Sequence, residues 1–195
     1  PTIGLSVIPV LAGWPLVLLP IHIVFLEFII DPVCTIVFEA EPDEQNVMQR
    51  PPRDARSRLS ARQTTVLSLL QGGAVLGAVL GVFYLSLVSG FAMEQARALT
   101  FFTLVMANIG LIFSLRARSR PIWAALPIPN PALWWVSGAA LIAILLALNV
   151  PYLSELFKFA LLDGQQYGLA LSAAALAIIL IESMKYFAAR RHEPM

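Results

Sequence analysis

The run of residues 15–38 is the feature that most constrains this chain. It is apolar and, as a helix, long enough to cross the ~30 Å hydrocarbon core of a bilayer. Yet it holds two carboxylates one helical turn apart, Glu27 and Asp31, and Asp31 is followed at once by Pro32. A charge at membrane depth costs of order 3 kcal/mol or more, so two on one helix face call for a reason. Pro32 has no backbone N–H, so the carbonyl of Phe28, one turn earlier, loses its helical partner. Such a break persists in a membrane only where protein or a hydrated cavity covers it. An ion or proton site is the expected reading. The alternative is a kinked helix whose acids pair with basic groups elsewhere. Against it, no Lys or Arg lies deep in any apolar run of the sequence.

The rest of the chain agrees with a membrane location. It is 58% hydrophobic and only 13% charged, with mean hydropathy +0.78, far from ordinary soluble composition. The fold class expected is all-α, a polytopic transmembrane bundle of about six helices, at 1–11, 15–38, 65–87, 97–115, 132–150 and 167–187. The first apolar run, residues 1–13, reaches roughly 20 Å against a core of about 30 Å. It is expected to be a spanning helix cut short, in a chain that is a piece of something longer. Cys34 is the one cysteine, so no internal disulfide forms. The net charge of +1 gives no hint of a nucleic-acid partner. The bilayer is the surrounding partner.

Basic residues orient the spans. Arg50, Arg53, Arg56, Arg58 and Arg62 follow the second segment, Arg116, Arg118 and Arg120 follow the fourth, and Lys185, Arg190 and Arg191 close the chain. Only Arg97 and Lys158 fall on the other side, so the loop at 39–64 and the C-terminus are expected to be cytoplasmic, in a multi-pass protein of the cell membrane. Trp134, Trp135, Tyr152 and Tyr167 fit interfacial aromatic belts. The loop at 151–164 has an amphipathic stretch, 153–162, expected along the outer surface. Gly73, Gly77 and Gly81 recur every fourth residue, a spacing that lets another helix approach closely. Gln71 and Asn108 are polar side chains inside spans, each either an inter-helix hydrogen bond or a ligand. Thr35 lies one turn beyond Asp31, where its hydroxyl either adds to the acidic face or bonds its own helix. His22 sits about 140° around the helix from Glu27, off the acidic face. Glu182 and Lys185, three apart, are spaced to pair.

A resemblance follows from particular residues. Leu19-Pro20-Ile21-His22 leads into Glu27-Phe28-Ile29-Ile30-Asp31-Pro32, then Glu41-Pro42, then Met48-Gln49-Arg50-Pro51-Pro52-Arg53. This resembles the sixth transmembrane helix and following loop of P-type cation-transporting ATPases of the calcium-pump type, with their N-L-x-x-D helix and M-x-R-P-P-R signature. Glu182, Lys185 and Arg190 are similar to the E-x-x-K and later Arg of the family's last helix. The resemblance spans essentially residues 1–195 and implies the partial fifth through tenth helices of the pump's membrane domain.

Carried over by position, the resemblance implies that Glu27 replaces the family's asparagine ligand and Asp31 matches its aspartate. Apart from the resemblance, the residues themselves add the Phe28 backbone carbonyl freed by Pro32, with Asn108 and Thr35 as further candidates. Ile30 stands where a threonine ligand is usual, Thr2 where the preceding helix often supplies a glutamate, and Val105 or Met106 near the eighth-helix glutamate of two-site pumps. Neither an alkyl group nor a thioether serves a hard cation, which argues for one site with altered chemistry. The implied cargo is Ca²⁺ or another hard cation. Cys34, near Pro32, is similar to part of the C-P-C element of heavy-metal pumps, but one thiol among acids does not make a soft-metal site. No D-K-T-G phosphorylation motif occurs. ATP and Mg²⁺ would therefore act only through the N-terminal remainder of the pump. Two readings from other classes compete, a proton-coupled secondary transporter and a non-catalytic membrane assembly module.

Overall fold

The computed structural model describes residues 1–41, 62–116, 122 and 129–190; for 30–34, 62–64 and 187–190 it describes the backbone alone. The described residues form α1 (Thr2–Leu11), α2 (Pro20–Phe25), a π-helical turn (Leu26–Ile30), α3 (Asp31–Glu39), α4 (Arg62–Val88), α5 (Met93–Leu115), α6 (Pro131–Asn149), α7 (Pro151–Phe157) and α8 (Gly164–Arg190). No strand occurs among them, and the fold is an all-α membrane helical bundle. Within α4, α5, α6 and α8, four stretches are long and apolar enough to cross a membrane: Thr65–Val88, Met93–Leu115, Pro131–Asn149 and Gly164–Tyr186. The M-x-R-P-P-R element at Met48 to Arg53, and Arg56, Arg58, Arg118, Arg120 and Arg191, lie outside the described residues.

The bundle is built around α5. That helix packs most extensively against α8 and α4, then α6, while α3 lies on α6 and α1 on α4. Phe101, Leu104 and Val105 of α5 are fully buried, as are Phe83 of α4 and Ile144 of α6. The outer faces are apolar and open, with Leu69, Trp135 and Leu176 largely exposed. In a soluble protein this surface would be a liability, but lipid tails are as apolar as leucine, so burial alone does not drive helices together here. Close packing and inter-helix hydrogen bonds do. Gly110 of α5 lies so close to Ile178 of α8 that a β-carbon at 110 would collide with its side chain.

The glycine stripe of α4 behaves differently from the expectation. A β-carbon added at Gly73, Gly77 or Gly81 would meet nothing within 4 Å among the described residues, so no described helix approaches closely at these positions. The second segment also departs from one continuous helix over 15–38. Pro20 occupies the first turn of α2, where its missing N–H costs nothing and its φ is already helical, so the helix begins five residues later than composition suggests. The loop after α6 is partly helical. It makes one short helix, α7, which ends at Lys158 in a left-handed conformation (φ 54°, ψ 44°), and the chain then turns Phe159 back into the protein. Trp134, Trp135 and Tyr152 are exposed as a belt requires, whereas Tyr167 packs edge-on against Phe102 at 5.1 Å.

Candidate functional site: a broken helix pinned at both ends

The acid-bearing segment is broken where its proline demands. The π turn Leu26–Ile30 runs directly into Asp31-Pro32 at the start of α3. A proline at position 32 removes the donor that an α-helix needs for the Phe28 carbonyl, and a π turn re-registers the backbone from i+4 to i+5 bonding over that stretch. Single π turns of this kind occur often at functional sites. Glu27 lies on the turn and is exposed, and the Phe28 side chain is 77% exposed. Asp31 opens α3, with only its backbone described. Thr35 lies on α3 and is exposed, and Asn108 is half-buried on α5. No group of three or more His, Cys, Asp or Glu side chains is gathered among the described residues. Glu27 itself stands on an exposed face of the π turn.

Two anchors hold this segment. At its start, the His22 imidazole is fully buried. Its Nε2 lies 2.8 Å from the Phe157 carbonyl and its Nδ1 accepts the Leu19 N–H at 3.1 Å. Nδ1 as acceptor leaves Nε2 as the donor, so the ring is the neutral Nε2–H tautomer. It stacks on Phe159 (4.9 Å, 9°) and Phe157 (5.8 Å, 14°) and contacts Phe101 at 4.9 Å. His22 thus fastens α2 to α5 and to the loop after α7, which accounts for its place off the acidic face. Beside it, Arg97 donates to the Leu16 and Lys158 carbonyls, each at 3.3 Å.

At the other end, Glu41 follows α3 and receives two parallel hydrogen bonds from Arg116 (Nε to Oε2 2.7 Å, Nη2 to Oε1 3.0 Å). Asn130 Nδ2 donates to Glu41 Oε2 at 2.9 Å and to the Val37 carbonyl at 3.1 Å, while its Oδ1 accepts the Leu133 N–H and caps α6. Partial burial would push the Glu41 carboxyl up, but the hydrogen bonds from Arg116 and Asn130 and the guanidinium charge outweigh it, holding Glu41 below its ordinary value. A second network meets α5 beside this one. Ser114 Oγ donates to Glu182 Oε1, the Ile122 N–H to Glu182 Oε2, and Lys185 Nζ to Glu182 Oε1 (3.0 Å) and to the Ser114 carbonyl (2.7 Å). The expected Glu182–Lys185 pair is therefore formed. It also serves a carbonyl in the last turn of α5 that has no partner within its own helix.

Sequence reasoning did not single out Glu41, Arg116 and Asn130 as a unit. Asn130-Pro131 ahead of an apolar run is a readable helix start, with an N-cap residue and then proline in the first turn. Its further bonds to Val37 and Glu41 join residues 93 and 89 positions apart in the chain, and no local pattern signals them.

The contacts give the direction of the chain. His22 meets Phe101 at one end and Glu41 meets Arg116 at the other, so α2, the π turn and α3 run parallel to α5. Interpolating between these contacts at the helical rise puts Glu27 about level with Val105, and Asp31 about level with Asn108.

Comparison with known proteins agrees with this architecture. The family described as "Cation transporting ATPase, C-terminus" matches residues 15–187. The chain is 23% identical over 193 residues to the "Calcium-transporting ATPase 1" of Bacillus cereus, an alignment covering 90% of this chain and 22% of that protein. The chain thus spans about a fifth of the length of that relative. A helical membrane bundle, an acid-bearing segment broken at its proline and a family match across nearly the whole chain lead to one assignment: this chain belongs to the C-terminal membrane region of the P-type cation-transporting ATPases.

Proposed function

We propose that the chain is the ion-translocating membrane part of an ATP-driven cation pump, with its cation site on Glu27 and Asp31. The π turn carries this reading, because it sets a backbone break beside the two acids, between two anchored half-helices. In one conformation Glu27 and Asp31 hold the cation as substrate, with the Phe28 carbonyl oxygen, Thr35 and Asn108 as further oxygen donors and the remaining ligands from the rest of the pump. In the other the site opens outward and releases it. The open face at Glu27 supports this division, since the chain spans only 22% of its calcium-pump relative. At the depth of the acids α5 presents Val105, Met106 and Asn108, so Asn108 is the polar contribution that helix makes there. One site of carboxylate, carbonyl and amide oxygens suits Ca²⁺ above softer metals. Exchange of the cation for protons at these two neighbouring carboxylates, giving counter-transport, belongs to the same proposal. ATP and Mg²⁺ act through the pump's other domains, and the basic end of the bundle faces the cytoplasm of the cell membrane.

The test is cation-dependent phosphorylation of the complete pump. Glu27→Gln and Asp31→Asn each remove a charge the cation needs while keeping nearly the same shape and relieving a buried-charge cost. Each is expected to abolish or strongly weaken the cation dependence, with thermal stability held or raised. Unchanged cation dependence in both would leave the acids as anchors for a partner helix.

A further inference from the structure

We infer that Glu41, Arg116 and Asn130 form a positioning knot that sets the cation affinity of the site by holding the exit of α3, an inference that rests on the pump reading above. Arg116 holds both oxygens of Glu41. Its side chain is only 2% exposed and that of Glu41 20%, so the pair is partly shielded and unlike a fully solvent-exposed surface bridge. Asn130 spends both of its donor bonds on the same segment, one on the Val37 carbonyl and one on Glu41, while its oxygen caps α6. The end of α3 is therefore fixed to α5 and α6 at two points one turn apart, which blocks both sliding along the helix axis and rotation about it.

Asp31 opens this same nine-residue helix. Across the π turn, α2 is separately fixed through His22 to Phe157 and Leu19. A slip of α3 by one residue would turn Asp31 by about 100° and shift it by about 1.5 Å. Misplacing a liganding or reacting group by about 1 Å costs on the order of 100-fold. None of the three knot residues needs to touch the cation. They determine where Asp31 points, and the fork geometry of Arg116 makes this dependent on the bidentate pair and not on charge alone.

The experiment uses the complete pump and reads two quantities, the half-saturating Ca²⁺ concentration for phosphoenzyme formation and the maximal phosphoenzyme level, with thermal stability measured beside them. Arg116→Lys keeps the charge but loses the fork. It is expected to raise the half-saturating concentration about tenfold, a smaller effect than full misplacement because one ionic contact is kept, with the maximal level preserved. Glu41→Asp, a carboxylate shorter by one methylene, is expected to shift it in the same direction even if Arg116→Lys fails to fold. The exchange Glu41→Arg with Arg116→Glu is expected to recover affinity relative to either change alone. Lower thermal stability with an unchanged half-saturating concentration in both Arg116→Lys and Glu41→Asp would make the knot merely structural and overturn the inference. Asp31→Asn in parallel separates the two readings. If it leaves cation dependence intact, the site itself is wrong and the knot has nothing to position. If it removes cation dependence while the knot variants bind Ca²⁺ normally, the site stands and the coupling alone is refuted.

Discussion

Glu41 shows how a polar residue at the margin of a membrane bundle is made useful. Its partial burial opposes ionisation, yet the bidentate bond to Arg116 and the amide of Asn130 more than offset this, so its carboxyl titrates below the ordinary value of 4.5. A depressed folded-state value means that the ionised form stabilises the fold. That stability is fully present above the unfolded value and is lost as pH falls through the lowered folded one. The thermal unfolding midpoint of the purified protein is therefore expected to fall between neutral pH and pH 3, and Glu41→Gln to flatten the acid limb. Equal slopes for wild type and variant across that range would show that the pair contributes nothing to stability. His22 is the contrasting residue. Both ring nitrogens are used in the neutral tautomer and three phenylalanine rings surround it, so it works as a fastener and not as a ligand.

At the scale of elements, the acid-bearing segment and α5 solve opposite problems. The first must break in a controlled way, and the second must pack tightly. Pro32→Ala returns a backbone N–H to the helix. It is expected to raise the unfolding free energy by less than the about 3 kcal/mol an interior proline costs, because the π turn already absorbs part of the defect. The same change is expected to weaken Ca²⁺ binding by giving the Phe28 carbonyl a competing partner. Unaltered affinity would remove that carbonyl from the ligand set. For α5, the glycine that matters is Gly110, against Ile178, and not the stripe at Gly73, Gly77 and Gly81. Gly110→Leu is expected to destabilise the chain by about 1–3 kcal/mol through overpacking. Gly77→Leu, which meets open space among the described residues, is expected to leave the packing of this chain unchanged. Unfolding midpoints in detergent check both, and an equal effect of the two changes would refute the distinction.

At the scale of the molecule, the side-chain bonds between elements among the described residues lie at the two ends of the bundle, with buried apolar side chains such as Phe101 and Leu104 between them. Arg116, Asn130, Glu182 and Lys185 gather α3, α5, α6 and α8 at one end, and His22 and Arg97 hold the loops before α2 and after α7 at the other. The ion pairs Arg116–Glu41 and Lys185–Glu182 lie at the first of these ends, away from the level of Glu27. The orientation expected from the basic residues is testable directly. In intact cells on a Cys34-free background, cysteines placed between residues 50 and 62 and at the C-terminus are expected to resist an impermeant thiol reagent added outside. One placed at Tyr152 is expected to react. The reverse pattern would invert the bundle.

What the sequence determined by itself was the class of the protein, the approximate spans and the place where the second helix must break. Those follow from local quantities: twenty-residue apolar runs, a missing N–H at Pro32 and the cost of carboxylates in lipid. Local chemistry also made the Glu182–Lys185 pair legible. The tertiary structure decided which of many small residues lies against a neighbour, why His22 is buried, and that Glu41, Arg116 and Asn130 meet. The deciding physics there is non-local. Lipid does not distinguish one apolar helix face from another, so the choice rests on close packing and on hydrogen bonds between residues about 75 to 135 positions apart, which no window of sequence contains.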